Sequence, residues 1–471
     1  MLPPLIRRQR QRTHPNPRSG EHGFTMALVT VALVTIIALA ALSIDIGTLY
    51  QAKNEAQRAA DAAALTAARM ISMSGVTGDP GNASSSWQTI CGGAASPATL
   101  AAINVAQQNL ISGVAATSGD VTVKYAGSTG VSNSNCANAG SAFGVNPVVT
   151  VTVTSGKLPI FFARVFTLFP HGNFSNTTAV ATATAEVFNS SNSASVAGSM
   201  IPVQPRCVKP WIVPNNDPGH GGTAFVSLVD GSIQNPGVLG GKVIGDTFNL
   251  VADCTPGASN CHGRFNMPDR PPARNGTNLD YVPALVSGNP TAAPSCATAN
   301  TFQEAIGGCD QSTVYTCGTP SGTPGATQLD LNENPVNPSG DGGDSPTAAE
   351  CLINQSGGND SLDTTTFPFQ IKAGSGNPLV QSGVVGSNNV ITTSNSIVTL
   401  PIYDGAALPP GNHEPPVTIV GFLQVFINNV NTTNGNMNVT VLNVAGCSNN
   451  AAGNPTVTGT SPVPIRLITP P

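Results

Sequence analysis

The residues best suited to chemistry form a short string, Asp217-Pro218-Gly219-His220-Gly221-Gly222. A carboxylate and an imidazole this close together are both residue types that can ligate a metal such as zinc. A zinc site needs three protein ligands plus a water, and hydrolysis usually needs a general base as well. The residues that follow do not supply them. The next Glu after His220 is Glu304, and the later histidines are His262, in Cys-His-Gly, and His413, in Asn-His-Glu. Val213-Pro214-Asn215-Asn216, just ahead of the string, do not read as a buried strand leading into it. The string is therefore expected to be a Gly-rich turn.

Asp330-x-Asn332-x-Asn334, with Asp341 at the twelfth position, has calcium-loop spacing. Pro335 stands where such a loop needs Gly, and Asp341 replaces the bidentate Glu. Asp341, Asp344 and Glu350 offer a surface alternative for calcium, but a solvated acidic loop explains them without it. Glu186 and Lys157 read as isolated, solvated charges. Neither a nucleophile elbow nor a phosphate-binding loop is evident. The expectation is no catalytic residue, no cofactor, no metal and no small-molecule substrate.

The ten cysteines are Cys91, Cys136, Cys207, Cys254, Cys261, Cys296, Cys309, Cys317, Cys351 and Cys447. Their number is even, none forms a C-x-x-C pair, and the spacings do not suit a zinc finger or ribbon. They are expected to form disulfides in an oxidising compartment.

The elements that must position these residues begin with a long helix over residues 23–74. Gly23 to Ile44 carry no formal charge over about 22 residues, which is about 33 Å of helix against a hydrocarbon core of about 30 Å. The run exceeds the h-region of a signal peptide, although Ala38-Leu39-Ala40-Ala41 offers a cut after Ala40 as the alternative. Arg7, Arg8, Arg10, Arg12 and Arg18 precede it, while Lys53 and Arg58 beyond it are offset by Asp45, Glu55 and Asp61. The positive-inside bias then puts the N-terminus in the cytoplasm and the body outside, periplasmic or extracellular. The polar, alanine-rich half of the helix, ending near Ser74, is expected to lie on the chain's own β-sheet as a stiff stalk. The alternative is a packing face for neighbouring subunits.

Ser96-Pro97 opens a second helix over 97–111. Alternating β-branched runs predict strands at 121–125, 148–154 and 177–187, then at 396–403, 416–430 and 437–444, with a turn at Asn431–Asn436. Leu158 to Phe169 is apolar but too short to span a membrane. Residues 205–375 read as loop-rich and cross-linked. Only 9% of residues are charged, against about 25% in typical globular chains, and Gly and Pro number 50 and 39. With a net charge of −5, this composition argues for loop-rich β structure and against a nucleic-acid binder.

Two stretches resemble the Flp pilus-assembly (tight-adherence) proteins, specifically their TadG-like N-terminal module. In the first, Asp45-x-Gly47-x-x-Tyr50 follows the apolar run, and then comes Gln57-x-Ala59-Ala60-Asp61-Ala62-Ala63-Ala64-Leu65. In the second, Phe161-Phe162-Ala163-Arg164-Val165-Phe166 precedes the alternating Ala/Thr strand. The resemblance implies an inner-membrane component of the pilus or adhesion machinery, with the membrane and other pilus-assembly or pilin subunits as partners. Asp310-Gln311-Ser312-Thr313-Val314 departs from the metal motif of the von Willebrand factor A domain that longer members carry, so no such domain is expected. Gly23-Phe24-Thr25 resembles a prepilin cleavage site, but Leu28 replaces the Glu at the fifth mature position. The string at Asp217 resembles the zinc-binding start of N-acetylmuramoyl-L-alanine amidases. Asn235 stands where their Glu falls, and no second His motif follows.

The expected fold class is α+β, mostly β, with one long N-terminal transmembrane helix continuing into a β-rich, loop-rich extracytoplasmic body. The expected divisions are a basic tail over 1–22, the TadG-like module over 23–74, an α+β region over 75–204 and a Gly/Pro/Cys-rich β region over 205–471. The expected function is a non-enzymatic, membrane-anchored role in pilus assembly or surface adhesion. The alternatives are a minor pilin-like subunit and a periplasmic zinc amidase.

Overall fold

The computed structural model describes residues 21–78, 86–127, 132–140, 142–155, 158, 178–191, 203–252, 274–275, 277–284, 286, 290, 300–311, 315, 344–365, 368–404, 418–447 and 457–468. The basic tail, Lys157, the apolar segment beyond Leu158, the loop from Asp330 to Asp341, His262, His413 and four cysteines (Cys254, Cys261, Cys296, Cys317) lie outside them. So does the stretch carrying the second resemblance, apart from its strand.

Helix α1 runs unbroken over Glu21–Ser72. No Pro interrupts it, and its second half is rich in Ala, the best helix former. The two halves meet different surroundings. Phe24, Leu33, Ile37 and Leu39 are each more than half exposed. From Ala52 onward, Ala56, Ala59, Ala60, Ala63, Ala64, Ala67, Ala68 and Ile71 are buried at the spacing of one helical face.

That face lies on a four-stranded antiparallel sheet, ordered β1 (Val121–Ala126), β2 (Val148–Thr154), β3 (Val180–Val187) and, from the far end of the chain, the strand Ile465–Ile468. The register pairs Val149, Val151 and Val153 with Ala185, Ala183 and Ala181. These six side chains share one buried core with the alanines of α1. The strands' alternation turns the intervening threonines to the other side. There Thr150 meets Thr184 at 3.1 Å and Thr152 meets Thr182 at 3.0 Å, hydroxyl to hydroxyl. Small side chains on both surfaces let helix and sheet approach closely.

Helices α2 (Ser86–Cys91) and α3 (Pro97–Gln108) complete this layer. Pro97 opens α3, which ends three residues short of the expected 111, because Asn109 turns its side chain back to Val105 O at 2.7 Å. Tyr125 is tied to α3 through Thr99 Oγ1 at 2.7 Å, and Ser112 N donates to Glu55 Oε2 at 2.7 Å. The Cys91–Cys136 disulfide anchors α2. A four-residue helix, α4 (Ala142–Val145), leads into β2.

The second core is a β structure whose strands come from widely separated parts of the chain. Strand β4 (Val203–Pro205) is followed by β5 (Trp211–Pro214), β6 (Thr247–Ala252), β7 (Arg274–Asn275) and β8 (Asn278–Pro283). After α5 (Thr301–Gly307) and α6 (Asp344–Leu352) come β9 (Ser361–Asp363), β10 (Gln370–Lys372), α7 (Pro378–Gln381) and β11 (Val390–Ile391). The last strands are β12 (Ile397–Tyr403), β13 (Ile419–Val430), β14 (Met437–Gly446), β15 (Val457–Gly459) and β16, the Ile465–Ile468 strand already met. The large sheet is ordered β5-β12-β13-β14-β6-β8-β7, and β5 also pairs with β8. That extra pairing, two residue pairs long, closes six strands into a ring, with β7 appended to β8. Its interior holds Trp211, Leu250, Leu279, Tyr281, Leu400 and Val441.

The loop-rich reading of 205–375 missed β5, β6 and β8, which are short and lack a long alternating pattern. The residues ahead of the Asp217 string do form a buried strand, with every side chain of β5 inaccessible. Glu186 is buried rather than solvated, and it pairs with Arg466 across β3 and β16. The Arg466 guanidinium also lies 6.0 Å from the Phe188 ring centroid.

All six described cysteines are in disulfides: Cys91–Cys136, Cys207–Cys309, and Cys351 and Cys447 with further partners. Beside the second of these, Lys209 is buried and donates Nζ to Ile306 O at 2.6 Å and Gly308 O at 2.7 Å. It thereby satisfies carbonyls at the end of α5.

Ala63→Leu forces three extra carbons between α1 and the sheet, and it is expected to cost about 1–3 kcal/mol in urea unfolding. Lys53→Leu on the exposed face is expected to stay within about 0.5 kcal/mol of the parent. Equal stabilities would contradict the close approach. For Lys209, burial lowers its pKa from the ordinary 10.5 to about 8. Between those values the unfolded chain holds a proton that the folded chain has released, so stability rises with pH. The gain expected from pH 8 to 9.5 is on the order of 2 kcal/mol, and it should be absent in Lys209→Met.

Candidate functional site

The string at Asp217 begins three residues after β5. Asn215 is held first: its N donates to Tyr403 O at 3.0 Å, and its side chain bonds both the N and the O of Val226. Asp217 then caps a single 3-10 turn, Pro218–His220, accepting from Gly219 N at 2.9 Å. Pro218 supplies the backbone angle the first turn position needs. Gly221 follows at φ +63°, a left-handed conformation that suits Gly. Asp217 N donates to Thr223 O at 2.7 Å and Gly222 N to Asp217 O at 2.9 Å, closing the loop on itself.

A second loop comes to meet it. Val441 N on β14 donates to Asp246 O at 2.9 Å, just before β6. This places the Asp246 carboxylate against His220: Nδ1 lies 2.8 Å from Asp217 Oδ2 and 3.2 Å from Asp246 Oδ2. His220 Nε2 lies 2.8 Å from Gly241 O. A carbonyl can only accept, so Nε2 carries a proton and Nδ1 is the atom presented to both carboxylates. Gly219 leaves room for this approach: a Cβ at that position would push the Asp246 carboxylate aside. Asn235 donates to Thr223 Oγ1 at 3.0 Å, linking the same two loops.

Electrostatics follow from crowding. Burial pushes the Asp217 carboxyl above its ordinary value. Burial, and then the neighbouring Asp217 charge, push Asp246 up to about 6. Burial alone would lower the pKa of His220, but the bond to Gly241 O and the two carboxylates outweigh it and raise it. The three groups together could hold a cation. Sequence reading found Asp217 and His220 but not Asp246, which lies a loop away and which only the β6–β14 register brings in.

The family-motif residues divide between packing and display. Ala59, Ala60, Ala63 and Ala64 are buried against the sheet, and Asp45 is buried too. Asp61 and Ala62 are half-buried, with Asp61 Oδ1 accepting from Gln57 Nε2 at 2.8 Å. Gly47 and Tyr50 are exposed, and a Cβ on Gly47 would meet nothing within 4 Å. With Asn54 and Arg58, also exposed, these two form a ridge on the side of α1 away from the alanines.

Residues 23–70 match the family model described as putative Flp pilus-assembly TadE/G-like. The N-terminal segment is thus similar to a Tad-type module, while no curated protein and no solved structure gives a match to the chain. The matched stretch covers the whole apolar half of α1 and almost all of its alanine face.

Proposed function

We propose that this chain is a membrane-anchored, non-enzymatic component of Flp/Tad-type pilus assembly or surface adhesion. The observation that carries the reading is the division of α1. Its first half is long and apolar enough to cross a membrane, and Phe24, Leu33, Ile37 and Leu39 along it are each more than half exposed. Its second half is spent on the chain's own sheet. The Tad match over the same helix supports a pilus-related role. The arginines ahead of the apolar run support a cytoplasmic N-terminus, and bonded cysteines support a periplasmic or extracellular body.

The exposed ridge of Gly47, Tyr50, Asn54 and Arg58 is the surface we assign to other pilus-assembly or pilin subunits, since it lies just outside the span. The bare apolar half equally suits a minor pilin-like subunit, whose helix would pack among copies of itself. Cleavage after Gly23 would distinguish that second reading. For domain organisation we propose the four divisions drawn from composition, with β16 returning from the last of them to complete the sheet under α1.

Deleting the gene is expected to abolish surface pili counted by electron microscopy, and the intact gene to restore them. Tyr50→Ala is expected to restore them poorly while the protein accumulates normally. An alkaline phosphatase fusion after Gly75 is expected to be active. Normal pili and attachment in the deletion strain would sink the assembly role, and an inactive fusion would sink the orientation.

A further inference from the structure

The Asp217–His220–Asp246 cluster is arranged more closely than a plain Gly-rich turn requires. The two sections of backbone could pass each other without bringing three ionisable groups to one point. All three ligand atoms lie within 4.8 Å of one another. Around a tetrahedral ion with bonds of about 2.0–2.2 Å, neighbouring ligand atoms sit about 3.3–3.6 Å apart. The 3.2 Å from His220 Nδ1 to Asp246 Oδ2 is close to that spacing, and the 2.8 Å to Asp217 Oδ2, a hydrogen-bond distance, has to open by about half an ångström to admit the ion.

The alternative occupant of the space between the carboxylates is a single proton on Nδ1. That proton serves Asp217, with which Nδ1 makes a hydrogen bond. It leaves Asp246 Oδ2 buried without a hydrogen bond, with only the longer 3.2 Å approach to the imidazolium. A buried carboxylate oxygen in that state is costly. A doubly charged ion contacts both carboxylates and the imidazole lone pair at once, and it balances two negative charges with a neutral ring.

We propose that Asp217, His220 and Asp246 bind a divalent transition-metal ion, with zinc the ion their donors suit best, and that it stitches the turn after β5 to the loop before β6. One imidazole nitrogen and two carboxylate oxygens suit zinc, whereas calcium takes six to eight oxygens. The supporting bonds are those a metal ligand needs. The proton on His220 Nε2 goes to Gly241 O, fixing the ring with Nδ1 inward. Asp217 Oδ1 accepts from Gly219 N, leaving Oδ2 for the ion. Gly219 lets the backbone pass close to Asp246. The Asp217 side chain is fully buried, while those of His220 and Asp246 are 14% and 21% exposed, so solvent reaches the cluster and supplies the remaining ligand.

The test uses the full chain in detergent, stripped with a chelator, re-equilibrated with zinc sulfate and passed through gel filtration before its metal content is measured. The expected result is one zinc per chain, with a thermal midpoint that rises on zinc addition and falls back on chelation. His220→Gln and Asp246→Asn, each checked for unchanged circular dichroism, are expected to lose the zinc. Gly219→Ala, which displaces the Asp246 carboxylate, is expected to weaken binding at least tenfold. Folded parent protein that retains no zinc overturns the proposal, and so does zinc that stays bound in both ligand variants. If a variant fails to fold, the parent's stoichiometry and its reversible thermal shift decide the matter.

Discussion

The architecture depends on how closely α1 can lie on its sheet. A buried methyl group contributes little, on the scale of about 0.8 kcal/mol per carbon, so an alanine interface gains only by being tight and extensive. Both surfaces meet that condition. The helix offers alanine at every inward position from Ala52 to Ala68, and β3 answers with Ala181, Ala183 and Ala185. A larger residue on either side would separate the layers. The same tightness determines which part of α1 is left over. The sheet runs out before the apolar half begins, so among the described residues most side chains from Phe24 to Ile44 are exposed. In the proposed role, lipid takes the place that the sheet takes farther along.

The rest of the chain is built onto this layer. Strand β16 returns to pair with β3, so residues between them form one long excursion that starts and ends at the same sheet. A polar seam joins the two cores at that junction. Asn189 Nδ2 donates to Thr77 Oγ1 and to Val444 O, both at 3.2 Å, and Ser190 Oγ donates to Gly446 O at 2.8 Å. Ser191 Oγ accepts from Gly446 N. These bonds tie the end of α1 and the end of β3 directly to β14. Within the closed sheet, side-chain amides continue the cross-linking: Asn428, Asn438, Asn249 and Asn278 bond in series across four strands at 2.9 to 3.1 Å. A chain with few charges thus uses amides, hydroxyls and disulfides where others use ion pairs.

How much of this was legible in the sequence follows from pattern length. The 52-residue helix, the β1–β2–β3 alternations and the β13–β14 hairpin each carry a long, regular period. The 431–436 turn was legible through its Asn and Gly residues, and Gly435 does take a positive φ of +73°. Strands β5 and β8 were hidden because each contributes few residues and ends at Pro, while their partners lie far away in sequence. Glu186 looked solvated because its partner, Arg466, arrives 280 residues later. The cluster at His220 was half legible for the same reason: Asp217 is local, and Asp246 is not. Local chemistry announces itself in a string, whereas a site assembled by strand register does not.

The central claim is that one helix serves two environments, lipid along its apolar half and its own sheet along its alanine half. The most direct measurement places a photoreactive residue at Ile37 or at Lys53 in the full chain, reconstituted in vesicles, and identifies what each one captures. The account predicts lipid adducts at Ile37 and none at Lys53. Capture of the protein's own body by Ile37, or equal lipid labelling at both positions, would contradict it.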